Sequence, residues 1–138
     1  MLKRILFVLL MGIVLSVALT ACGGDAPVPT AFSRIPVFSG SKEATNAEMI
    51  AMAARIYDVT KEDAKDAKNI EYKAYVPPAN WEWNAFKSFY RTALEKDGWT
   101  AVIEYDGIGI LIWEHRNRKQ TIGIQLFPGF YIVTLVER

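Results

Sequence analysis

Apolar and polar positions alternate with period two through most of the C-terminal forty residues, the signature of half-buried strands. Thr121-Ile122-Gly123-Ile124-Gln125-Leu126-Phe127 and Phe130-Tyr131-Ile132-Val133-Thr134-Leu135-Val136 flank Pro128-Gly129. A two-residue turn there sets Leu126 opposite Tyr131, Ile124 opposite Val133 and Ile122 opposite Leu135. Thr121, Gly123, Gln125 and Thr134 then fall on the other face. Upstream, Trp99–Tyr105 and Ile108–His115 flank Asp106-Gly107, a dipeptide suited to a type I′ turn because both positions favour positive φ. That turn predicts pairing of Tyr105 with Ile108, Ile103 with Ile110 and Ala101 with Ile112, all six on the inner face. Arg116-Asn117-Arg118-Lys119 makes the polar connection between the two hairpins.

The same register leaves an apolar outer face. Trp113, Val102 and Leu111 project there, with Phe127, Phe130 and Ile132. Such a face is uncommon on a solvated antiparallel sheet. It is read either as covered by the first helix, by a strand at Ile35 or by the N-terminal tether, or as an interaction face of Trp113, Phe127, Phe130 and Ile132.

Period 3.6 appears twice. Asn46 is a cap candidate, and Met49, Met52, Ala53 and Ile56 form an apolar stripe after it. The charged stretch Val59–Asn69 either prolongs this helix or forms a loop. A longer stripe, Trp83, Phe86, Phe89, Tyr90, Ala93 and Leu94, predicts a helix capped at Asn80 and stopped at Gly98. Between them Ile70–Val76 is strand-like, and Ile35-Pro36-Val37-Phe38 is a candidate edge strand, where proline is tolerated. The expected fold is α+β: a long helix packed on a four- to five-stranded antiparallel meander in two layers, preceded by a second helix. That order resembles cystatin-like folds in topology, without the Gln-x-Val-x-Gly loop of the protease inhibitors.

The N-terminal pattern is of another kind. Lys3-Arg4 precede an apolar run from Ile5 to Leu19, which ends in Leu19-Thr20-Ala21-Cys22-Gly23-Gly24. A basic head and a short apolar core followed by small residues have the layout of a secretory signal. Leu19-Thr20-Ala21-Cys22 resembles the lipobox of bacterial lipoproteins. The segment Phe86–Trp99 is likewise similar to small uncharacterised bacterial lipoproteins in which such a helix precedes a meander. The resemblance implies cleavage before Cys22, a diacylglycerol thioether on its sulfur and acylation of the new amino terminus. Residues 1–21 are then a signal peptide, 22–36 a Pro/Gly-rich tether and 37–138 a single α+β domain. The domain is expected outside the cytoplasm, anchored in the cell membrane or outer membrane. Gly23, in place of an aspartate after the cysteine, fits the outer membrane of a two-membrane bacterium.

Composition narrows the function. Removing residues 1–21 leaves 117 residues with 14 basic and 15 acidic side chains, a formal charge of −1. No clustered basic face speaks for nucleic acid. The only cysteine is Cys22, so no disulfide is expected. His115 is the only histidine and is read as an exposed turn residue. No serine stands in a nucleophile motif, and the carboxylates Glu62, Asp63 and Asp66 sit among lysines. No enzyme activity, metal or cofactor is expected beyond the covalent lipid on Cys22. The expected function is a lipid-anchored binding or accessory module, a subunit or assembly partner of an envelope protein complex. The alternative is a small-ligand module that holds lipid or sugar on the aromatic sheet face.

Overall fold

The computed structural model describes residues 31–138. Two helices and six strands follow in the order β1 (Lys42–Glu43), α1 (Ala47–Asp63), β2 (Asn69–Val76), α2 (Trp83–Lys96), β3 (Thr100–Tyr105), β4 (Ile110–His115), β5 (Gln120–Phe127) and β6 (Phe130–Glu137). The strands form one antiparallel sheet ordered β1-β2-β6-β5-β4-β3. The α+β class is as expected, with six strands rather than four to five. The signal peptide and most of the tether lie outside the described residues.

Helix α2 forms where its apolar stripe predicted. Phe86, Tyr90 and Leu94 are buried on the sheet, and each such burial is worth roughly 1.5–3 kcal/mol. Its C-terminus closes in a Schellman motif: Gly98, at φ 87°, donates to the Glu95 carbonyl, and the Trp99 N–H donates to the Leu94 carbonyl. Trp99 and Leu94 meet in the core, as that motif favours. The N-terminus differs from expectation. Asn80 sits in a left-handed turn at φ 60°, and Glu82 stands at the cap without a side-chain hydrogen bond. Helix α1 starts at the predicted cap, with Asn46 Oδ1 accepting from the Glu48 and Met49 N–H groups. It takes in the first part of the charged stretch and ends at Asp63.

The two helices lie on opposite faces of the sheet. Tyr131, Val133 and Leu135 of β6 pack with α2, whereas Ile132 between them packs with Ala53 of α1. Burial on both faces explains why β6 is almost uninterruptedly apolar. Helix α1 reaches β2 and β6 but leaves the β3–β4 side of its face open. The candidate strand at Ile35–Phe38 is absent. Phe38 instead fills the α2 layer, 5.1 Å from the Phe86 ring and 5.4 Å from Phe89. The edge strand beside β2 is the short β1.

The β5–β6 hairpin has the predicted register. The β3–β4 hairpin does not: Tyr105 pairs with Ile110, and the turn uses four residues, Asp106 to Gly109. A bulge between Ala101 and Ile103 further shifts β3. Across β4 and β5, Leu111 pairs with Ile124 and Trp113 with Ile122. Trp113 and Leu111 therefore belong to the α2 layer, with Trp113 at 0% exposure. Ile110, Ile112 and Ile103 occupy the other face.

Candidate binding groove

The expected interaction face separates into two groups. Trp113 is part of the α2 core, correcting its outer placement. Phe127 and Phe130 do lie on the α1 side, stacked at 5.0 Å with 14° between their planes. Ile132 lies there too, fully covered, with Met49 and Met52 of α1 packed on the same cluster. The first helix thus covers this part of the face. Cys22 lies outside the described residues.

Beside that covered part, a groove opens between α1 and strands β4, β5 and β6. It has a volume of about 320 Å³, near the lower end of small-molecule sites at roughly 300–1,000 Å³. Ile110, Ile112 and Gly123 form its floor and Ile56 its helical wall. Gly123 lies mid-strand without positive φ, and a Cβ added there would meet nothing within 4 Å. Its backbone therefore does not require glycine, and the missing side chain is part of the groove's space. Polar groups stand at one end. Thr60 Oγ1 donates to the Ile56 carbonyl at 2.8 Å. Arg138 Nη1 donates to Thr121 Oγ1 at 2.9 Å, and its Nε lies 3.3 Å from an Asp66 oxygen. Ile110, Ile112 and Gly123 were not anticipated as site residues, because the expected β3–β4 register placed Ile110 and Ile112 in the core.

His115 occupies another setting than predicted. It is 8% exposed, edge-on to Trp99 at 5.4 Å. Its Nδ1 accepts the Arg118 N–H at 3.3 Å, which assigns the proton to Nε2, 3.1 Å from the Asp97 carbonyl oxygen. Both ring nitrogens are thereby satisfied, and the residue locks the β4–β5 connection onto the end of α2. The nearby Asp97 carboxyl is held below the usual carboxylate range, first by hydrogen bonding from Arg118. At the far end of the sheet, Asp106 is lowered in the same sense by Lys87 and then by Trp83 Nε1, at 2.8 and 2.9 Å. Burial raises the Tyr75 hydroxyl to about 12 and pushes Tyr90 up further. None of these groups faces the groove.

Among the described residues, no group of three or more His, Cys, Asp or Glu side chains is placed to hold a metal ion. No helix among them is long and apolar enough to cross a membrane. Compared with protein-family models, curated proteins and solved structures, the chain matches none.

Proposed function

We propose that this chain is a lipid-anchored extracytoplasmic binding module, held to a bacterial membrane through Cys22, whose groove takes the apolar part of a small ligand. The observation that carries the reading is the open apolar floor of Ile110, Ile112 and Gly123 beside α1. A protein partner calls for a broad flat patch, whereas a concave slot suits a small molecule. An acyl chain fits this lining better than a sugar, because Ile56, Ile110, Ile112, Ile132 and Val136 offer apolar contact along the groove.

The test compares the wild-type protein with Gly123→Ile, both purified from native membranes in mild detergent and weighed intact under non-denaturing conditions. An isoleucine at Gly123 projects into free space, so the variant should fold while its side chain fills the groove. The expected result is an acylated wild-type chain carrying a small apolar adduct that Gly123→Ile loses. An adduct retained by both proteins, or absent from both, would remove the ligand reading. A stoichiometric protein partner without an adduct would favour the accessory-subunit reading instead.

A further inference from the structure

The strand registers sort the loops into two groups of opposite chemistry. Tyr105 pairs with Ile110, Phe127 with Phe130, and Val76 with Lys42, so the turns that follow β2, β3 and β5 share one end of the sheet. Trp83 at the start of α2 joins them, donating from Nε1 to Asp106. The other end gathers Ala64–Lys68, Glu95–Trp99, Arg116–Lys119 and the Glu137-Arg138 pair. It holds eleven charged side chains: Lys65, Asp66, Lys68, Glu95, Lys96, Asp97, Arg116, Arg118, Lys119, Glu137 and Arg138.

The first end has the reverse composition. Its loops, 39–42, 77–82, 105–109 and 127–130, hold Lys42, Glu82 and Asp106 as charges, the first turn of α1 adds Glu48, and Asp106 is already paired with Lys87 at 2.8 Å. Tyr105 and Ile108 stand out from it at 61% and 62% exposure. Half-buried Trp81 and the stacked pair Phe127 and Phe130 stand at the same end, with Pro77, Pro78 and Pro128 in the turns. Exposed apolar loops with Trp and Tyr, segregated from charge, suit the boundary between lipid headgroups and acyl chains.

We infer that this end of the domain rests on the bilayer surface, with Tyr105 and Ile108 entering the interfacial zone of a zwitterionic phospholipid membrane. The inference rests on the anchored reading for its proximity: nine residues, Cys22 to Thr30, precede the described domain, and such a length spans at most about 30 Å. The near absence of free cations at this end favours neutral over anionic headgroups. The charged end then faces away from the membrane.

The full mature protein would be reconstituted in phosphatidylcholine vesicles brominated on the acyl chains near the headgroup, with unbrominated vesicles as reference. The chain has four tryptophans. Trp113 and Trp99 are buried, at 0% and 6% exposure, and Trp99 lies at the charged end. Bromine should therefore lower the emission chiefly through Trp81 and Trp83. Trp81→Phe should at least halve that loss, and Ile108→Asp, at an exposed turn position, should reduce it without changing the circular dichroism. The intact mass of the same sample reports Cys22 acylation separately. An acylated chain with no quenching would overturn the docking and leave the anchor standing. A quenched chain without acyl mass would uphold the docking and sink the anchor. A dimer in detergent that Ile108→Asp disperses would assign this end to a second copy and overturn the inference.

Discussion

Arg118 forks its guanidinium around the Asp97 carboxylate, with N···O distances of 2.8 and 3.1 Å, and so ties the β4–β5 connection to the C-terminus of α2. The pair is partly exposed, so its Coulomb energy is screened by solvent. Its geometry still gives it a role, since Trp99 Nε1 also reaches Asp97, at 3.3 Å, and His115 packs against the same turn.

This pairing predicts the sign of one pH effect. Asp97 has a lowered carboxyl pKa in the folded protein, so its contribution to stability is complete above the unfolded value, near pH 4. It is lost as the pH falls through the folded value. Urea unfolding followed between pH 6 and pH 2 should therefore show a smaller acid-induced decline for Asp97→Asn than for the wild type. Equal declines would mean that the ion pair does not persist in solution.

Trp113→Ala removes the largest fully buried side chain of the core. Truncations of this kind cost about 3–5 kcal/mol, against a typical total of about 5–15 kcal/mol. Thermal or urea denaturation should reveal a loss of that size. A loss below about 0.5 kcal/mol, the scale of surface substitutions, would place the indole back on an outer face.

Gly109→Ala should destabilise for two reasons that act together. The backbone there has φ 62°, and an added Cβ would lie 2.7 Å from Leu126 Cβ. A non-glycine residue in this region costs about 1–2 kcal/mol before any clash, so the expected loss is about 2 kcal/mol or more. Gly123→Ala, in open space and ordinary strand geometry, should be neutral or stabilising by up to about 1 kcal/mol. Denaturation midpoints of the two variants check the contrast, and similar losses in both would contradict it.

The elements that local chemistry determines were legible in the sequence. Asn46 caps α1, Gly98 stops α2, and Pro128-Gly129 sets the β5–β6 register, because in each case one residue has a backbone or capping role with no close competitor. The β3–β4 turn was not legible, because Asp106-Gly107-Ile108-Gly109 offers glycine at two positions. Gly109, not Gly107, takes the positive φ. The choice between them is tertiary: the register formed places Leu111 and Trp113 beside Ile124 and Ile122 under α2. Ile110 and Ile112 consequently reach the groove, so the site followed from a pairing that no local pattern specifies. His115 was missed for a related reason, since its partners Asp97, Gly98 and Trp99 come from the end of α2.

The position of β6 has a consequence for how the chain assembles. It is the last of the described strands in sequence yet lies between β2 and β5, and Asn69 of β2 reaches Glu137 across 68 residues. Strands β3 to β6 can zip as successive hairpins, with little loop entropy to overcome. Strand β2 has only the two-residue β1 beside it until β6 arrives, and α1 covers a surface that β2 and β6 supply together. The N-terminal half therefore depends on the last strand of the chain to complete its side of the sheet. A chain emerging vectorially from its N-terminus cannot complete this fold until nearly all of it is available.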